Sequence, residues 1–438
     1  MSEKKTLLKG TFLLTASGIL SRFIGFYNRI FLSKTIGAEN IGIYQLIFPI
    51  LMVIYCVTIQ GIQTALTKLV ASLSSQREEQ SIRFLLRFSL LLSLMLAFFF
   101  TGILILFPEQ LCTILLHRPD CASYLQLSAI AIPFVSIKGI LHGYRIGRKK
   151  VGISASSHLF EQIIRVASIV ALTHCINAKW TSTPYLAAIG MLLGEVLSCF
   201  YTVIYYCIAQ KKDEMLQASA IPKDSIIREF FQLSIPLTGN RLIVSVLSGL
   251  QAMITPILLT QFYHNQSVAM ELFGILSGMA MPFLFFPTAI TNSLSTLVLP
   301  MISAAKANHN DKQIKKITYS CIIACMTMGI GCMLLFLIVG NSVGTMLFHE
   351  SRVGEYIHKL AFVCPFFYVS STLHAILNGL GKTKLTFYNN MIHTLIELLI
   401  MIILTPKIGI DGFIYSSFAG HIVLFILCAN QIKKNILD

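Results

Sequence analysis

The chain has 438 residues, of which 55% are hydrophobic and only 12% charged, with a mean hydropathy of +0.74. A soluble domain carries about 25% charged residues, so this composition excludes an ordinary water-soluble globular protein. The formal net charge of +15 is then no nucleic-acid signal in itself; where the basic residues fall along the chain decides what it means.

Apolar stretches run at residues 10–32, 41–67, 84–107, 122–144, 153–176, 184–209, 232–260, 272–302, 317–347, 360–380, 385–405 and 410–430. They predict an all-α integral membrane protein with about twelve transmembrane helices. If the N-terminus is cytoplasmic, the inside segments carry clusters such as Lys4, Lys5 and Lys9, then Arg145, Arg148, Lys149 and Lys150, then Lys312, Lys315 and Lys316. The intervening outside segments carry one or two basic residues each, for instance Arg118, Lys179 and Lys407. That is the positive-inside pattern. It predicts a multi-pass protein of the cytoplasmic membrane with both N- and C-termini inside. The basic start MSEKK leads into an apolar run that is long, carries Arg22 and lacks a small-residue cleavage site. It reads as a helix that stays, not a cleaved signal.

The first span contains SGILSRFIGFYNR, residues 17–29. Gly18, Arg22, Gly25 and Arg29 share one helical face, because they follow i, i+4, i+7 and i+11. A cation at bilayer depth costs several kcal/mol unless it faces protein or water. Either this face lines a cavity that receives an anion, or each arginine neutralises a buried Glu, or Arg29 snorkels outward.

Gln60 and Gln63 follow in the second span, near Gly61. They can hydrogen-bond sugar hydroxyls or a neighbouring helix. Cys112 and Cys121 share one outside loop, so a disulfide between them is open. The other cysteines lie mostly within spans as small apolar residues, and no CxxC or Cys/His metal spacing occurs. Lys138 lies about two turns from the cytoplasmic end of the fourth span, where snorkelling is expected. His158, Glu161 and Arg165 share a face of the fifth span, and Glu161 and Arg165 can pair at i, i+4. The alternative is that Glu161 binds a proton or Na⁺ during transport. Glu195 in the sixth span can pair with Arg165 or Arg22. Arg241 is the main intramembrane cation of the second half. The eighth span holds Pro282, Pro287 and Pro300 and is the best candidate for a bent helix. Glu397 in the eleventh span must find a partner on another helix, stay protonated or hold an ion.

The longest polar stretch, around Lys211–Arg228, falls near the midpoint. It divides the chain into two six-helix lobes, residues 1–215 and 216–438. Internal matches support a duplication. Gly143 and Gly379 lie 236 residues apart, as do Glu161 and Glu397. Gly42 and Gly274, and Ile82 and Ile314, lie 232 apart, and Ser72 and Ser303 lie 231 apart. An even number of spans per unit makes this a parallel repeat about an axis along the membrane normal. The chain has no GxxxxGK[ST] loop and no nucleophile–base or paired-carboxylate arrangement. It is expected not to be an enzyme and to need no metal or cofactor.

The run GTFLLTASGILSRFIGFYNRIFLSKTIGAENIGIYQLIFP resembles the start of the stage V sporulation protein B family. TALTKLVAS, GILHGYRIGRKKVGISASSHLFEQIIRV and FPTAITNSLSTLVLPMIS resemble it too. That family belongs to the multidrug/oligosaccharidyl-lipid/polysaccharide (MOP) exporter superfamily, along with the lipid II flippases. The resemblance implies two six-helix lobes around a central cavity, and export of a lipid-linked anionic saccharide by alternating access. In the lipid II flippases, first-helix arginines in an SRxxGF context line a cationic cavity. Ser21, Arg22, Gly25 and Phe26 match that pattern, whereas Arg29 is offset by a residue from the second arginine. The flippases' eighth-helix arginine is missing from ELFGILSGMAMP, and Arg241 stands as a substitute from the seventh.

The expected function is thus a flippase for a lipid-linked glycan or peptidoglycan precursor in the bacterial cytoplasmic membrane. It would be driven by Na⁺, H⁺ or membrane potential, with Arg22, Arg29, Arg241, Gln60 and Gln63 meeting the substrate. Its expected partners are that substrate, membrane lipids and envelope-synthesis proteins, not nucleic acid. The alternatives are a drug/cation antiporter of the same superfamily, which wants acids in its cavity, and a non-transporting membrane scaffold for envelope synthesis.

Overall fold

A computed structural model of the chain describes residues 3–76, 78–175, 183–210 and 222–434. Lys179, Lys211, Lys212 and the 215/216 lobe boundary lie outside the described residues. Each predicted apolar stretch is helical, with no strand among the described residues. Among them, nine helices are long and apolar enough to cross a membrane, or eleven if each of two bent pairs counts as one span. One of the nine, 16–75, is 60 residues long. It holds two of the predicted spans, because Glu3–Tyr55 is broken at Gly37, with φ 78° and ψ 170°. Only glycine takes that conformation without strain.

The eighth span bends as its prolines suggest. Gln266–Phe273 passes into a π-helical segment, Gly274–Ala280, and Met281–Phe285 is separated from Thr288–Ala307 by a turn at 286–287. A π segment leaves carbonyls out of the regular ladder. A second π segment, Cys56–Gln60, sits in the second span just before Gly61–Ser75.

The chain divides into two compact units, residues 1–28 with 46–249, and 29–45 with 250–438. In the first, Leu66, Val70, Ile82 and Leu141 belong to one buried cluster with Phe230. In the second, Val298, Ile302, Ile314 and Leu373 belong to another. These are the same four positions, displaced by 232 residues. Within a bilayer such clusters gain little from leaving water, so close van der Waals packing holds them. The opposite helix faces carry exposed apolar side chains, such as Leu91, Met95, Phe98 and Phe99 on Glu79–Leu106. Lipid tails solvate such a stripe.

The structure fixes the repeat at 232 residues throughout. His117 (φ 54°, ψ 30°) ends the π segment Cys112–Leu116, and His349 (φ 55°, ψ 32°) ends Val343–Phe348. Lys149 and Gly381, also 232 apart, both have positive φ. A Cβ built on Gly147 would stand 2.8 Å from the Thr67 carbonyl oxygen and 2.9 Å from Val70 Cβ. One built on Gly379 would stand 2.9 Å from both the Leu299 oxygen and Ile302 Cβ. The counterpart of Gly379 is therefore Gly147, not Gly143. Glu161 corresponds to His393, and Arg165 to Glu397. The 236-residue matches are a slip of four residues, about one helical turn, which keeps similar residues on the same face.

Candidate functional site

Three helices of the first unit bring four charged side chains together: Ala131–Gly147, Gly152–Cys175 and Pro184–Gln210. Lys138 Nζ donates to Glu161 Oε2 at 2.8 Å, to Glu195 Oε2, and to Ser198 Oγ at 3.2 Å. Arg165 Nη2 donates to Glu161 Oε1 at 2.8 Å and stands 3.5 Å from Glu195 Oε1. Gln162 Nε2 donates to Glu161 Oε1 at 3.3 Å, and His158 Nδ1 lies 3.5 Å from Oε2. The Lys138 side chain is only 9% exposed, so the snorkelling expectation is corrected. Two carboxylates on neighbouring helices hold its ammonium more strongly than the distant interface can.

The predicted Glu161–Arg165 pair is present. Glu195 meets Arg165, as one of its two expected partners, and also Lys138. Two fixed cations and two carboxylates cancel. This network removes the desolvation cost of each member only while all four are present.

The corresponding positions of the second unit are built differently. The helices are Cys364–Gly379, Thr383–Ile408 and Ile410–Ile432. Ser370 stands where the first unit has Lys138. Its hydroxyl bonds back to the Phe366 carbonyl at 2.7 Å. His393 Nε2 lies 3.6 Å from Glu397 Oε2, and Glu397 is 5% exposed. A Cβ on Gly194 would meet the Glu161 oxygen and Arg165 Cβ, and one on Gly420 would meet Glu397 Cβ and the His393 ring. Gly194 therefore matches Gly420, and Glu195 matches His421. The His393 and His421 rings are 4.7 Å apart. The sequence reading found Glu397 but overlooked His393, four residues before it; the i, i+4 spacing was the available signal.

The predicted substrate arginines occupy three settings. Arg22 is half-buried, among the buried polar residues Ser17, Ser21 and Asn28 on the same helix. A Cβ on Gly18 would touch nothing within 4 Å, and one on Gly25 would meet only Gln162 Oε1, at 3.6 Å. Beside this helix an apolar groove of about 730 Å³ runs between Phe23, Ile24 and Tyr27 and the fifth span's Ile163, Val166 and Val170. Arg29 Nη1 donates to the Gly278 carbonyl at 3.4 Å. Arg241, exposed on its helix, donates to the Gln60 carbonyl at 3.4 Å. Each of these acceptors lies in a π segment.

The Gln60 side chain accepts from Cys56 Sγ. Gln63 packs against Gly139 and Gly143 of the fourth span, within a helix–helix interface. Cys112 and Cys121 are both buried free thiols.

Outside the spans, Arg118 forks onto Asp120 and Arg352 onto Glu350. These pairs sit at the same two positions of the repeat with the charges exchanged. The Arg352 hydrogen bonds hold the Glu350 carboxyl below its usual range.

Long apolar helices, buried charge networks and a twofold-repeated set of core positions define an all-α, multi-pass membrane transporter. Residues 7–306 match the polysaccharide biosynthesis protein family, and the chain belongs to it; residues 267–403 match MatE. The chain is thereby a transporter of the MOP exporter superfamily. It is similar to stage V sporulation protein B of Bacillus subtilis (strain 168), with 28% identity covering 98% of this chain and 84% of that protein. Lipid II flippase MurJ of the same organism is 21% identical, over 99% of this chain and 84% of its own length. Among solved structures, the fold matches an inward-facing multidrug resistance MATE family transporter at a TM-score of 0.72. That match is 13% identical and covers 94% of this chain and 95% of the other.

Proposed function

We propose that the protein is a flippase that moves a lipid-linked, diphosphate-bearing glycan precursor from the inner to the outer leaflet by alternating access. The observation that carries this reading is the surrounding of Arg22. Its glycine neighbours leave room beside a guanidinium at membrane depth, and an apolar groove runs along the same helix. An amphiphile with an anionic head and a long tail fits both features. The guanidinium would hold the diphosphate through two parallel charge-assisted bonds, and the tail would lie in the groove.

Arg29 and Arg241 add donors. Among their bonds are those to neutral carbonyls, which orient a guanidinium without cancelling its charge. Glu161 and Glu195, by contrast, are engaged by Lys138 and Arg165. A drug/cation antiporter would need acids available to its substrate, so the cationic reading is preferred. Both termini are placed in the cytoplasm by the positive-inside pattern.

The test is complementation of cells depleted of their lipid II flippase, with membrane abundance followed in parallel. Arg22→Ala should abolish rescue at near-normal abundance, because losing one partner of a buried charge-assisted pair costs about 2–5 kcal/mol of binding. Arg22→Lys should rescue poorly, since an ammonium cannot present two parallel donors. Full rescue by Arg22→Ala would overturn the substrate role of this residue.

A further inference from the structure

We propose that His393, Glu397 and His421 form a proton-binding site inside the membrane span of the second unit, the only one of the two matching clusters whose charge changes near neutral pH. This does not rest on the identity of the transported substrate. The argument begins with the repeat. The first unit fills these positions with Lys138, Glu161, Arg165 and Glu195, whose charges are fixed and cancel. The second fills them with Ser370, His393, Glu397 and His421. The same three-helix corner has therefore exchanged two permanent cations and one carboxylate for a hydroxyl and two imidazoles.

The geometry leaves a place for one proton. At 3.6 Å, His393 Nε2 and Glu397 Oε2 stand just beyond a hydrogen bond, and this buried Nε2 has no hydrogen-bond partner. A carboxylate at this depth with no fixed cation beside it is costly. Glu397's one ion-pair partner among the described residues is His393. A proton taken up by the lone pair of His393 Nε2 would close the gap into a charge-assisted bond.

His421 supplies a second base. Its Nδ1 lies 2.8 Å from the Ser417 carbonyl. A carbonyl only accepts, so Nδ1 carries the hydrogen and Nε2 keeps the lone pair. The tenth helix contributes His374, close enough to interact electrostatically with His393. The remaining neighbours are neutral. Asn389 and Gln431 bond to each other, and Phe367 packs on the His421 ring. Thr255, on the seventh helix, bonds to Met401. Imidazole is the side chain that changes charge between about pH 5 and 8. Protonation here therefore adds a charge to one unit that its counterpart cannot add.

The experiment is infrared difference spectroscopy of the full-length protein in liposomes, stepped between about pH 8 and 5. The wild type should take up about one proton in a buried carboxyl–imidazole signal. Glu397→Gln should remove the carboxyl part of that signal. His393→Gln and His421→Gln should each displace its midpoint, and Glu350→Gln, outside the spans, should leave it unchanged. Because the wild-type titration is read first, poor folding of one variant does not rescue the idea. Absence of a buried titration in the wild type, or its persistence unaltered in Glu397→Gln, would overturn the assignment. So would a midpoint that moves with sodium chloride but not with choline chloride, which would give the site to a metal ion.

Discussion

The two halves solve one packing problem with different chemistry. Each joins its fourth, fifth and sixth helices, or their counterparts, through a polar group buried at the same position of the repeat. In the first half that group is a closed network of Lys138, Glu161, Arg165 and Glu195. In the second it is a loose set of imidazoles around Glu397. A closed network with fixed charges behaves as a joint, costly to break and indifferent to pH. A loose, titratable set holds less firmly and can respond. Duplication thus keeps the backbone plan and frees one copy of the site to change its role.

The sharpest way to break this comparison is to open the joint. Lys138→Met leaves two buried carboxylates facing Arg165 alone, and such a loss costs about 3–5 kcal/mol. Detergent-solubilised protein should show a large fall in melting temperature and abundance. Adding Glu195→Gln should restore part of both, since it removes the surplus charge. An unaltered melting curve for Lys138→Met would mean that the network does not hold the helices.

Next in size is the shared backbone plan. Gly147→Ala and Gly379→Ala each drive a methyl to within 2.9 Å of a backbone carbonyl oxygen. Overpacking of this kind costs about 1–3 kcal/mol. The two variants should lose thermal stability to a similar degree. A large loss at one and none at the other would undo the 232-residue equivalence at that contact.

A smaller effect separates the two acids. Glu161→Gln should lower folded protein more than transport per molecule. Glu397→Gln should leave abundance closer to normal and alter the pH dependence of transport, measured by the same complementation across buffered media. Equal losses of folded protein, with no change in pH dependence at either site, would make both clusters joints.

The smallest effect lies outside the spans. The Glu350 carboxyl is held below its ordinary value of 4.5 by Arg352. Its contribution is present at neutral pH and is lost as pH falls below that value. Both side chains are partly exposed, so the contribution is about 1 kcal/mol or less. Melting temperature should fall slightly less on acidification in Glu350→Gln than in the wild type; an identical acid profile would assign the pair no role in stability.

Hydropathy and charge placement alone determined that the chain crosses the membrane many times as helices, because a bilayer excludes unpaired backbone and long polar loops from its core. The same reading located Arg22 and its glycine face, and the Glu161–Arg165 pair, since these depend only on helical periodicity within one span. Tertiary structure decided the rest. The partners of Lys138 lie 23 and 57 residues away on other helices, a separation over which no local pattern operates. It also decided the repeat register, because residues one turn apart share a helical face and letters alone cannot tell such a slip from the true match. Only the carbonyls that meet Gly147 and Gly379, fixed in space by neighbouring helices, show which residues correspond.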